Sequence, residues 1–119
     1  MAVLLNNEFG EVSVSLNVIA KIAGAVATKC YGVVGMASKN KKDGFVSLLN
    51  VENITKGVKV WNDNESGLEI ELHIVVKYGV NINAICDSII HNVGYKVEQA
   101  IGMPVNKVTV QVESVRVEE

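Results

Sequence analysis

Between residues 68 and 77 the chain alternates: Leu68, Ile70, Leu72, Ile74 and Val76 are apolar, and Glu69, Glu71, His73 and Lys77 fall between them. A two-residue period sends successive side chains to opposite faces, so this segment is a strand with one face turned to a core. Tyr78-Gly79-Val80-Asn81 breaks the pattern, and the period then changes. Ile82, Ile85, Cys86, Ile89, Ile90, Val93, Val97 and Ala100 recur at three- and four-residue spacing, which makes residues 82–100 an amphipathic helix. Gly102 ends this helix and Pro104 prevents its return; residues 105–117 alternate again as a strand. Gly94 in mid-helix costs about 1 kcal/mol relative to alanine, and a close packing approach is the expected reason.

The first half repeats the strand–helix order. Gly10-Glu11-Val12-Ser13-Val14 is a short alternating strand, and Ser15 offers an N-cap hydroxyl to the helix that follows. Ile19, Ile22, Ala23, Val26, Ala27 and Cys30 form its apolar face, with Gly32 as an expected left-handed C-cap. A second short strand is expected over 33–37, then a polar, basic break over 38–44. Residues 45–54 read as a short helix or an ordered loop covering a sheet edge. Residues 58–61 are a strand, and the turn formers of 62–67 predict a hairpin into the 68–77 strand. The simplest closed solution is an α+β two-layer sandwich, with two main helices packed on one face of a four- to five-stranded mixed or antiparallel sheet. At 119 residues the chain is expected to be one domain, with its core over about 10–117.

Composition narrows the function classes. Hydrophobic residues are 49% and charged residues 20%, with one proline, as in an ordered globular protein. The net charge of −2 gives no electrostatic reason to expect nucleic acid, although two-layer α+β domains often bind it. No window approaches the roughly 18 continuous apolar residues of a spanning helix. Ala2-Val3-Leu4-Leu5 is a short apolar patch without the basic segment of a signal peptide. A cytoplasmic protein is the expectation, peripheral to the membrane only through a partner. Cys30 and Cys86 lie on helical core faces and read as reduced thiols.

Little in the sequence points to catalysis. Cys86 and His91, five residues apart, do not share a helix face, and His73 lies on the sheet face opposite the two thiols, so no metal or cofactor is expected. Asp87, His91, Tyr95 and Glu98 form one polar stripe on the second helix. An aspartate beside a histidine orients an imidazole for general-base work, but the same spacing describes a solvated helix face. The lysines 39, 41 and 42 are candidates for phosphate contact or solvated punctuation, and the amides after Gly79 are a weak anion site. The first helix differs, because Ala20, Gly24, Ala25 and Thr28 make its outer face small. Small side chains permit close backbone approach, so this face is a candidate surface for self-association or partner docking.

The order of parts also carries a resemblance. Gly10-Glu11-Val12-Ser13-Val14-Ser15 leading into Val18, Ile19, Ile22 and Ala23, then Gly32-Val33-Val34-Gly35-Met36, resembles the alkaline shock protein family of Gram-positive bacteria. So do Gly57-Val58-Lys59-Val60, Val75-Val76-Lys77-Tyr78-Gly79-Val80-Asn81-Ile82 and Val108-Thr109-Val110-Gln111-Val112. Asn83 and His91 depart from the family pattern, where proline and glutamine are expected. The resemblance implies a small, housekeeping-type member: a non-enzymatic scaffold linked to envelope stress or membrane-lipid homeostasis. It also implies a homo-oligomer with a membrane-associated or lipid-metabolic protein partner, and it supplies no catalytic residues. The rival readings are a nucleic-acid-binding module and a small-ligand protein or enzyme using Asp87, His91 and Tyr95.

Overall fold

The 68–77 alternation forms the central strand of the sheet. The structure, a computed structural model, describes residues 2–39, 46–63 and 67–117. In chain order the elements are β1 (Ala2–Asn7), β2 (Gly10–Ser15), α1 (Leu16–Thr28), β3 (Val33–Lys39) and β4 (Val46–Leu48). A 3₁₀ helix (Val51–Gly57), β5 (Val58–Asp63), β6 (Gly67–Lys77), α2 (Ile82–Ile101) and β7 (Val105–Arg116) follow. β6 pairs on one side with β7, in parallel, along the run from Leu68 to Lys77. Its other side is shared end to end, with antiparallel β5 against Gly67–Leu72 and antiparallel β3 against Ile74–Val76. β4 extends β3 outward.

The sheet is therefore mixed and five-stranded, and both helices pack on one face of it. Leu68, Ile70, Leu72, Ile74 and Val76 of β6 are fully buried there, against Ile19, Ala23 and Ala27 of α1 and Ile85, Ile89, Val93 and Val97 of α2. This is the expected α+β two-layer arrangement. The caps follow side-chain chemistry: Ser15 Oγ accepts from Asn17 N at 3.2 Å, and Asn81 Oδ1 accepts from Ala84 N at 3.1 Å. Gly102, at φ 80°, closes α2 in the left-handed conformation.

Several expectations are corrected. The N-terminal apolar patch is β1, which pairs with β2 as a separate two-stranded hairpin, so the 10–14 segment does not join the main sheet. α1 ends at Thr28, and its cap is Lys29 in a right-handed conformation; Gly32, at φ 85°, instead turns the chain into β3. Residues 46–57 divide into β4 and the 3₁₀ helix, while Phe45 and the tip of the 62–67 turn lie outside the described residues. Ile82, Ile90 and Ala100, read as core, are exposed, and Ile101 is buried in their place. A Cβ built on Gly94 meets only Val108 Cγ2, at 4.0 Å, which is ordinary contact. No close approach within the described chain explains that glycine.

Candidate functional site

The polar stripe of α2 is solvent-facing, and its members are not drawn together. Asp87, His91, Tyr95 and Glu98 are all exposed. Glu98 is engaged in architecture, since its Oε1 accepts from Val105 N at 2.8 Å and holds the first residue of β7. Tyr95 Oη accepts from Gln99 Nε2 at 3.4 Å. No hydrogen bond joins Asp87 to His91. A hollow of about 330 Å³ is lined by Leu16, Asn17, Ala20, Thr55, Val58, Lys59 and Val60, and one of about 260 Å³ by Tyr31, Asn81, Ala84, Ile85 and Ser88. Neither is lined by the stripe.

The small face of α1 is largely accounted for inside the molecule. Ala20 and Gly24 are buried, and a Cβ on Gly24 would meet Ile54 Cγ1 at 3.1 Å and Val58 Cγ2 at 3.4 Å. The glycine lets the 3₁₀ helix and β5 lie against the helix backbone. Of the four, Ala25 alone is exposed, while Thr28 is half-buried and donates its hydroxyl to Ala25 O at 2.9 Å.

The two cysteines are unbridged and half-buried rather than deep in the core. Cys30 Sγ lies 3.5 Å from Val26 O and 3.8 Å from Asn92 Nδ2, a contact that links the helices. Burial first, and then the charge of neighbouring Asp87, push the Cys86 thiol pKa above its ordinary value. At the weak anion site after Gly79, the Asn81 side chain already accepts from the Ala84 amide. Of the basic run, Lys41 and Lys42 lie outside the described residues.

One polar cluster was only half legible. His73 was expected on the sheet face away from the helices, with Glu69 and Glu71, and it is there. Strand pairing then brings Glu113, Lys59 and Trp61 to the same face. His73 Nε2 lies 3.0 Å from Glu71 Oε2, and Nδ1 lies 3.7 Å from Glu113 Oε1. Lys59 Nζ is 3.8 Å from Glu71, and Trp61 Nε1 donates to Glu69 Oε2 at 2.7 Å. The carboxylates sit at opposite edges of the imidazole, so they do not converge on one point as ligands of one ion would. The cluster ties three strands together side chain to side chain.

Apolar side chains also reach the surface. Phe9 is 91% exposed at the hairpin tip, and Leu4 and Val12 are exposed nearby. Tyr31 is 85% and Tyr78 72% exposed, on two turns tied by the bond from Lys77 N to Gly32 O at 2.9 Å. Tyr31 borders the 260 Å³ hollow at the start of α2.

These features define an α+β two-layer protein that carries its unspent chemistry on open surfaces. The chain belongs to the alkaline shock protein 23 family, described as having a cell envelope-related function, whose sequence profile matches residues 5–117. It is 41% identical to YloU of Bacillus subtilis strain 168 over 118 residues, covering 98% of each chain. It is 38% identical to Spy1614 of Streptococcus pyogenes serotype M6 over 118 residues, covering 98% of this chain and 97% of the relative. Among solved structures it is similar to the MamM CTD H285A variant, at 11% identity and a TM-score of 0.49, covering 88% of this chain and 100% of the other.

Proposed function

We propose that this protein is a non-enzymatic interaction module of the cell envelope, acting from the cytoplasm by docking a membrane-associated or lipid-metabolic protein. The observation that carries this reading is the pair of exposed tyrosines, Tyr31 and Tyr78, at one end of the sheet, with the 260 Å³ hollow beside Tyr31. Tyrosine presents a large apolar ring and a polar tip at low entropic cost, which favours it where proteins meet. The envelope-related family supports the same direction. With a net charge of −2, recognition rests on apolar contact rather than on a basic patch. Self-association belongs to this reading as well.

The test is affinity purification of the tagged chain from cells, with and without alkaline stress, beside a Tyr31→Ser/Tyr78→Ser variant. Recovery of membrane or lipid-metabolic proteins by the parent and their loss from the variant is the expected outcome. Recovery of ribosomal or nucleic-acid complexes alone, or a partner set indifferent to the tyrosines, overturns it.

A further inference from the structure

The net charge of −2 is not spread evenly over the molecule. Three segments meet where β6 finishes: residues 29–32 after α1, residues 77–79, and Arg116 at the end of β7. Backbone bonds set them side by side, from Lys77 N to Gly32 O at 2.9 Å and from Tyr78 N to Arg116 O at 2.9 Å. The charged residues of these segments are Lys29, Lys77 and Arg116, all exposed, with no acidic residue between them. Among the described residues none of these three cations makes an ion pair.

The strand register sharpens the contrast. Along the β6–β7 pair Glu69 stands opposite Lys107, Glu71 opposite Thr109 and His73 opposite Gln111, but Lys77 stands opposite Arg116. Like charges in directly opposed positions are destabilising. The fold therefore carries, at the end that presents Tyr31 and Tyr78, a repulsion that an outside carboxylate relieves. Tyr31 also borders the hollow that Ala84 and Ile85 line.

Size selects the occupant. At about 260 Å³ the hollow lies below the roughly 300–1,000 Å³ of small-molecule pockets, and it suits one apolar side chain. Three cations fall short of the roughly four to eight that mark a lipid-binding basic cluster. We propose that this end binds an acidic segment of a partner protein. One apolar side chain of that segment enters the hollow, and carboxylates beside it meet Lys77, Arg116 and Lys29. The apolar anchor holds the segment, while the cations reject anchors with basic neighbours. This rests on the docking reading and adds the chemistry of the partner.

The test pans a random peptide library, displayed on phage, on the purified chain and measures the selected peptides by fluorescence anisotropy. Selected peptides are expected to carry aspartate or glutamate beside a leucine, phenylalanine or tryptophan, and to bind less tightly as salt is added. Lys77→Glu/Arg116→Glu keeps the like-charge pair and inverts its sign, so it should weaken binding roughly tenfold. Lys21→Glu/Lys96→Glu makes the same change in net charge further along the helices and should leave binding unchanged. Ala84→Trp fills the hollow and should abolish binding while keeping a cooperative thermal transition. Glu118 and Glu119 follow outside the described residues, and every variant keeps them. A library that yields no acidic peptide, or binding indifferent to the reversal at Lys77 and Arg116, overturns the proposal. A reversal that acts only on flotation with phosphatidylglycerol vesicles assigns the end to lipid, and one that acts only on sedimentation of the chain assigns it to a second copy; both overturn it. Partner recovery from cells that needs the tyrosines but ignores the reversal removes this proposal and leaves the docking reading standing.

Discussion

β6 and β7 run side by side with the same alternation of apolar and polar residues, yet their apolar faces meet different surroundings. β6 has neighbours along both edges, and its inward residues are sealed under the two helices. Among the described residues β7 has a neighbour on one edge, and Val108, Val110 and Val112 remain partly open to water. Position in the sheet, more than residue type, sets what each side chain contributes.

The largest break in that comparison is at the sealed strand. Leu72→Ala removes a fully buried side chain from beneath the helices, and an unfolding free energy lower by about 2–5 kcal/mol is expected in urea titration. Gly94→Ala acts in the opposite sense. The added Cβ meets only Val108 at 4.0 Å, so recovered helix propensity should raise stability by about 1 kcal/mol in the same assay. At β7 the penalty shrinks: Val110→Ala should cost about 0.5–1 kcal/mol in the dilute chain, because water already reaches that side chain.

The smallest effect concerns Cys86, half-buried in the first turns of α2. Its raised thiol pKa predicts alkylation by iodoacetamide near pH 8 slower than that of an unstructured cysteine peptide, measured by mass spectrometry. The folded state holds this proton more tightly than the unfolded state. The stabilisation is therefore present below the ordinary thiol range and is lost as pH rises through the folded value. Asp87→Asn should recover part of the rate, and burial accounts for the rest.

Much of this was readable along the chain. The core of β6, the extent of α2 and the Ser15 cap of α1 follow from periods and caps that operate within a few residues, whereas the Asn81 cap of α2 was not read from the sequence. The errors arise where a local pattern has two uses. Gly24 in a stripe of small residues reads equally well as an exposed docking face or as an internal close approach, and only the position of Ile54, thirty residues away, decides for the second. Gly94 reads as a close packing approach, yet a Cβ there meets only Val108, at 4.0 Å. The β1–β2 hairpin was missed because Leu4 and Leu5 sit side by side and disguise the alternation. Of the candidate site, the four stripe residues of α2 are exposed, and Glu98 is diverted to hold β7, a contact across seven residues that the helical spacing does not show.

By itself the sequence determined the periods, and with them which face of each strand and helix is apolar and where each element stops. Those properties depend on backbone geometry repeating every two or 3.6 residues, so neighbours in the chain suffice to read them. Only the tertiary structure decided which apolar faces are buried. Burial depends on what lies across the sheet, and a parallel β6–β7 pair joined through a whole helix is a contact that no short window contains. The same reason explains why Glu71 and Glu113 meet on either side of His73.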